Sequence, residues 1–283
     1  MGTDKVHAKD SCADQLKKYA DDLAKIYKSE KQKRKELETV NLQLIKYGHD
    51  LNRSVSDLKA ANLELYQAYI ATICRLAIAA EYRDEDTGDH IVRIGRYSAL
   101  IAEKIGMPDV KAKDMLYAAP MHDIGKIGIP DHILLKPGKL TDEEFDIVKT
   151  HTTIGAKILS NSNAKIIMLA EQIAISHHEK WNGQGYPNGL SGLDIPLAGR
   201  IVAGVDVFDA LTSKRPYKKA FRLEVALNIM KKEREQHFDP DVLDILLANI
   251  DEILKIRADV NENDFSLLNY LRKEGAYSSP AVP

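Results

Sequence analysis

His122, Asp123, His151, His177, His178 and Asp206 are the residues of this chain whose types suit metal chemistry. Imidazole and carboxylate are the donors that hold divalent iron, manganese or zinc, so a set of them gathered in one place would make a metal cluster. An adjacent His-Asp pair is ordinary by itself, and most often means a histidine beside a solvated carboxylate. Here Gly125 and Lys126 follow at once, and the other histidines and the aspartate recur at what read as helix ends. Between His178 and Asp206 runs Trp181-Asn182-Gly183-Gln184-Gly185-Tyr186-Pro187, glycine-rich and too polar for a core. It lacks the Lys-Ser/Thr ending of a phosphate-cradling P-loop. The combination points to metal-dependent chemistry on an anionic substrate.

Taken in order, several blocks resemble the HD-GYP subfamily of HD-domain phosphohydrolases, over roughly residues 70–257. They are His122-Asp123-Ile124-Gly125-Lys126-Ile127, His151, His177-His178-Glu179, Trp181-Asn182-Gly183, Gly185-Tyr186-Pro187, the run from Asp206 to Ser213, and Arg215-Pro216-Tyr217. The resemblance implies an all-α HD-domain bundle that hydrolyses cyclic di-GMP to linear pGpG and on to GMP. Attack is then by a water activated between metal ions, in line at phosphorus. His122, Asp123, His151, His177, His178 and Asp206 map onto metal ligands, with Asp123 as the bridging carboxylate. A histidine at the position of His90 is common in the subfamily, and some members carry a glutamate where this chain has Asp86, one methylene shorter. Both count as ligands here, giving two or three divalent ions, iron first and manganese as the alternative.

The same resemblance makes Asp123, His122 and Lys126 the catalytic candidates. Lys126, Arg215, Lys218 and Tyr186 are the candidates for substrate contact, arginine as a planar fork for phosphate oxygens and lysine as a compact charge. Tyr186 would offer an aromatic face or hydroxyl to a guanine or phosphate, or else simply pack against His177-His178. The Gly-Tyr-Pro loop is also expected to present a surface to a protein partner. Glu179 either receives the second N–H of a ligand histidine or is a surface carboxylate, and Asp209 either shares that part or caps locally. Arg93 and Thr87 read as scaffold around His90. The alternatives are action on another cyclic dinucleotide, or a degenerate or very slow domain that serves as a cyclic dinucleotide sensor or protein-interaction module. The intact ligand set argues against degeneration.

These residues need helices to bring them together. His90 opens an apolar-periodic helix through Ile101, and Val110–Tyr117 leads into His122-Asp123. Thr141 and Glu144 form a capping-box signature for the helix expected to deliver His151. Ile166–Ser176 should deliver His177-His178, and Leu197–Ala210 places Asp206 and Asp209 near one face. Terminal helices are expected over 221–235, 240–256 and 263–273, with Asp239-Pro240 starting the middle one. Upstream, Leu recurs at 16, 23, 37, 44, 51, 58 and 65, interrupted at Glu30, with Asn41 and Asn62 at the companion a position. Leucine at d with asparagine at a favours a parallel two-stranded coiled coil, hence a homodimer; the alternative is one amphipathic helix folded back on the chain. The expected division is a coiled-coil helix over 1–68 and a catalytic domain over 69–283.

With 40 basic and 42 acidic side chains the chain has a net charge of -2, too balanced to wrap a nucleic acid polymer. Phosphate recognition must therefore be local. Cys12 and Cys74 lie far apart without any CxxC spacing, which suggests neither a disulfide scaffold nor a thiolate zinc site and suits a reducing compartment. The polar start is unlike a signal peptide. The longest apolar stretch, Ile70–Ala80, contains Arg75 and is shorter than the roughly 20 residues of a span. No membrane segment and a cytoplasmic location are the expectation.

Overall fold

The computed structural model describes residues 4–83, 88–213 and 220–262, with side chains described from residue 14 to residue 260 of these. The chain divides into two compact units, residues 1–62 and 63–283. No strand occurs among the described residues, only isolated bridges at Asn182–Ser191 and Arg234–Phe238. The architecture is all-α.

The first unit consists of the helix α1 (Asp4–Glu81) as far as residue 62. Its heptad leucines Leu16, Leu23, Leu37, Leu44, Leu51 and Leu58 are all exposed. An isolated helix gains little stability by itself, so a leucine stripe of this kind is a surface that needs covering.

The second unit begins at Leu63, six residues before the expected start of the catalytic domain. There the last turns of α1 bury Ile70, Ile73, Cys74, Ala77 and Ala80, recurring at the three- and four-residue intervals of one helix face. By length and composition alone a stretch of α1 would suit a membrane span. Within it Ile70, Ile73, Cys74, Ala77 and Ala80 belong to this core, while Leu76 is exposed.

The unit continues through α2 (Asp89–Lys104), α3 (Asp109–Ala118), α4 (Asp131–Leu134), α5 (Asp142–Lys149), α6 (His151–Leu159), α7 (Lys165–Ser176), α8 (Leu197–Thr212), α9 (Leu223–Lys232), α10 (Pro240–Ala248) and α11 (Ile250–Glu262). Helix α8 is apolar almost all round, as a helix at the middle of a bundle must be. Its Ile201, Val202, Val205 and Phe208 are fully buried against α2, α7 and α10. Tyr97 of α2 meets Phe208 edge to face with ring centroids 6.0 Å apart.

Local side-chain caps place the starts of α5 and α10. Glu144 N–H donates to Thr141 Oγ1 at 3.2 Å while Thr141 N–H donates to Glu144 Oε2 at 2.8 Å, a complete capping box. The helix it starts, α5, ends at Lys149, however, and His151 opens the next helix rather than riding on this one. Asp239 accepts from Asp241 N–H at 2.8 Å, with Pro240 in the first turn of α10. The expected helix over 240–256 is two helices. Asn249 interrupts it, its side-chain amide donating to Ile245 O at 2.8 Å and so competing with the backbone ladder. The expected helix over 263–273 lies outside the described residues.

His122 and Asp123 sit between two short 3-10 turns, Ala119–Met121 and Ile124–Gly128. The second turn lies directly on α6. A Cβ at Gly125 would stand 1.8 Å from His151 O and 2.5 Å from Gly155 N, both backbone atoms that cannot swing aside. Glycine there is what lets Asp123 approach His151. Gly125→Ala is expected to destabilise the unit by roughly 1–3 kcal/mol or more, at about 2–4 °C of Tm per kcal/mol. An unchanged melting temperature would show that the turn can lift off α6 freely.

Candidate metal centre

Three candidate ligand histidines are delivered by the ends of helical segments. His122 follows the first 3-10 turn, His151 opens α6 and His177 closes α7. At such ends an imidazole can reach a carbonyl about one turn back. His122 Nδ1 lies 3.0 Å from Ala119 O, His151 Nδ1 2.6 Å from Val148 O and His177 Nδ1 3.1 Å from Ile173 O. A carbonyl only accepts, so each Nδ1 donates and the ring is turned to direct Nε2 inward.

Two groups of side chains result. One ligand atom each from Asp123, His151, His177 and His178 lie within 4.8 Å of one another, and so do those of His90, His122 and Asp206. Asp123 belongs to both neighbourhoods. Its Oδ1 is 3.2 Å from His151 Nε2 and 3.5 Å from His177 Nε2, while its Oδ2 is 3.2 Å from His122 Nε2. Asp206 Oδ1 then stands 3.7 Å from His90 Nε2 and 4.0 Å from His122 Nε2.

The Nε2 atoms of His122, His151 and His177, together with Asp123 Oδ1, are sealed from solvent and have no hydrogen-bond partner among the described residues. A buried polar atom left unmatched costs about 1–3 kcal/mol, and here four converge on one space. Divalent cations fit this donor set, since they would satisfy all four at once.

Electrostatics favour a cation in the same place. Burial works against ionisation of Asp123, but Lys126 and His122 outweigh it and hold the carboxyl well below its ordinary value. Burial opposes a charge on His122, yet Asp123, Asp206 and Glu81 push its pKa up to about 9. The carboxylates thus favour positive charge at that nitrogen, which a proton or a metal ion can supply. His178 is held well below the usual range by burial and by His177, and His177 is lowered chiefly by burial. Both shifts favour the neutral imidazole, the form that ligates.

A family model for the HD domain matches residues 76–242, more than half of the chain. The chain belongs to the HD-domain family. It is homologous to HD-GYP-type cyclic dinucleotide phosphodiesterases. It is 48% identical over 191 residues to the cyclic di-GMP phosphodiesterase of Thermotoga maritima, covering 68% of this chain and 52% of that one. To the cyclic di-GMP phosphodiesterase response regulator RpfG of Xanthomonas campestris it is 45% identical over 190 residues, 67% of this chain and 50% of the relative. To the 3'3'-cGAMP-specific phosphodiesterase 2 of Vibrio cholerae it is 41% identical over 202 residues, 71% and 37% of the two chains. The chain spans about half the length, or less, of these curated relatives.

Within this HD domain further side chains hold the candidate ligand His90 and the Gly-Tyr-Pro loop. His90 Nδ1 donates to Asp209 Oδ2 at 2.8 Å, and Arg93 grips the same carboxylate with Nε at 2.6 Å from Oδ1 and Nη2 at 2.9 Å from Oδ2. Asp209 is therefore the carboxylate that orients a candidate ligand histidine, and Arg93 is more than scaffold. Glu179 does otherwise. Its two oxygens accept backbone N–H groups of Asn188 at 2.8 Å and Leu190 at 3.0 Å, so it staples the Gly-Tyr-Pro loop instead of serving a histidine. That loop lies tight on its own root. A Cβ at Gly185 would fall 2.3 Å from Lys180 N and 2.5 Å from Glu179 Cα. Tyr186, joined to Pro187 by a cis peptide, is laid against His178 with ring centroids 4.8 Å apart.

A cleft of about 490 Å³ opens over the centre, with His90, Asp123, His151, His178 and Asp206 on its polar side and Tyr186 at its edge. Lys126 reaches into it and pairs with Asp123 Oδ2 at 2.9 Å, three residues along the 3-10 turn. Asp86, Arg215 and Lys218 lie outside the described residues.

Two residues of the site were not singled out from the sequence. Arg83 donates to Lys126 O and Ile129 O, both at 2.9 Å, and also pairs with Asp131, clamping the turn that follows Asp123. Glu81, 3% exposed, is buried among the charges of the centre. Its signal was available: Ile70, Cys74 and Ala77 set a core face on which residue 81 also falls. The Arg93 clamp carries no such local signal, because its partner is 116 residues away.

Asp209→Ala would strand the buried Arg93, so a stability loss of about 3–5 kcal/mol is expected in urea unfolding, with metal affinity weakened by roughly 10–100-fold. Asp209 has its folded pKa lowered from the ordinary 3.8 by His90 and Arg93 against the effect of burial. Its contribution is thus complete above that value and lost as pH falls through the lower folded pKa. The variant's stability deficit should shrink in that acid window and be constant near neutrality.

Proposed function

We propose that this HD domain is a metal-dependent phosphodiesterase of cyclic dinucleotides whose substrate is cyclic di-GMP, opened to linear pGpG and then cleaved to GMP. The observation that carries the reading is Asp123, whose two oxygens face different groups of imidazoles beneath a cleft of about 490 Å³. That volume lies within the roughly 300–1,000 Å³ of ordinary ligand sites.

In this reading His151, His177 and His178 hold one ion with Asp123, and His122, Asp206 and His90 hold a second with its other oxygen. Asp86, four residues before His90, is the proposed donor for a third. Nitrogen and oxygen donors without thiolate suit iron, with manganese as the alternative. Ions bound there supply Lewis-acid polarisation of the phosphodiester and a nucleophilic water at neutral pH.

The chain's own residues position the substrate. Lys126 sets a positive charge beside Asp123 where a phosphate oxygen would lie, with Arg215 and Lys218 proposed as further phosphate contacts. Tyr186, supported by His178, presents an aromatic face for a base. Ile133, Leu140 and Leu211 add apolar side chains to the lining of the cleft. The loop stapled by Glu179 is also proposed as the surface offered to a protein partner. Along α1, Asn41 and Asn62 at a with leucines at d support pairing with a second copy in parallel register, each covered leucine contributing about 1.5–3 kcal/mol.

A second reading has 3'3'-cGAMP as substrate, favoured by the 41% identity to a Vibrio cholerae protein named for it. Both dinucleotides offered to protein loaded with Fe(II) or Mn(II) separate the two by kcat/KM. Release of pGpG followed by GMP is expected from cyclic di-GMP at the higher kcat/KM. Absence of turnover on either dinucleotide with either metal would overturn the enzymatic reading and leave a sensor. Asp123→Ala is expected to lose turnover and stable metal retention together.

A further inference from the structure

Helix α1 ends on Glu81. The register that buries Ile70, Cys74 and Ala77 carries it inward, and it is only 3% exposed. Its Oε1 has no hydrogen-bond partner among the described residues and almost no accessible area. Carboxylates are rarely left so, because burial without a partner is costly. Burial accordingly raises its pKa, opposed first by His90, then by Lys126, with Asp123 and His122 also felt. These four come from three different segments of the fold: α2, the 3-10 turn after Asp123, and the His122-Asp123 junction itself. Glu81 thus lies among the charges of the centre, felt first at His90, yet stands outside the His90, His122 and Asp206 trio whose ligand atoms lie within 4.8 Å of one another.

We propose that Glu81 is a positioning residue of the metal centre that governs occupancy of the His90, His122 and Asp206 position and leaves the Asp123, His151, His177 and His178 position alone. This rests on the metal-centre reading above. Glu81 contributes an unpaired buried acceptor and, with a cation bound, a negative charge felt first at His90. A cation held by His90, His122 and Asp206 experiences that charge through the protein interior, where screening is weak. Such a residue should show opposite effects on stability and on metal binding. With the cation bound the charge is compensated, whereas an amide of the same shape is cheaper to bury but attracts no ion.

Glu81→Gln tests this through two readouts that do not depend on turnover. The variant and the unaltered chain are titrated with Mn(II), bound metal is counted after desalting, and Tm is recorded with chelator and with metal. The expected result is a Tm in chelator equal to or above that of the unaltered protein. The metal-induced rise in Tm should be smaller, with one fewer ion retained per chain and affinity for that ion weakened by about 10–100-fold. Glu81→Asp, which keeps the charge, should recover part of the lost affinity. Unchanged metal count and affinity in Glu81→Gln would overturn the proposal. So would a fall in chelator Tm with both ions weakened equally, the mark of a packing role alone. If the unaltered chain itself retains no ion, the metal-centre reading falls, and this inference with it.

Discussion

A largely buried carboxylate with its oxygens turned toward separate sets of imidazoles is a difficult thing to build into a helical bundle. Desolvation works against the charge on Asp123, and only Lys126, His122 and the surrounding rings make it tolerable. The inward Nε2 atoms compound the difficulty, since they are sealed away from water without a hydrogen-bond partner among the described residues. The surrounding fold is arranged to hold these mutually costly groups together, and cations are what the arrangement suits.

Helix termini solve much of the problem. His122, His151 and His177 each stand where a helical segment begins or ends, so a nearby carbonyl can fix Nδ1 and aim Nε2. For His90, the second residue of α2, Nδ1 is fixed otherwise than by a carbonyl. A side-chain acceptor takes its place, Asp209 from α8, itself held by Arg93. Close backbone approach does the rest, through Gly125 against α6 and Gly185 against the root of its loop.

The loop is bound into the same construction. Glu179 follows directly on His177-His178 in the chain and ties the backbone of Asn188 and Leu190 to the end of α7. Tyr186 is thereby pressed against His178 at the edge of the cleft. The Gly-Tyr-Pro loop is in this protein tied to the end of α7 and forms part of the lining of the site.

The helical class, the bounds of most helices, the capping box at Thr141 and the ligand types were legible in the sequence because each depends on spacing within a few residues. The ordered blocks from His122 to Asp206 also marked the family. Local patterns were less able to say where one helix yields to the next, as at Lys149 and Asn249, where side-chain competition with the backbone decides. They were also silent on Glu179's partners and on the Arg93 clamp, which join positions far apart in the chain. Glu81 lay between, written in the core register of α1 but meaningful only once other charges surround it. The sequence by itself determined which donors exist and which helices carry them. Only the tertiary structure decided that Asp123 would divide its oxygens between two groups, because that division depends on how closely separate backbones can approach.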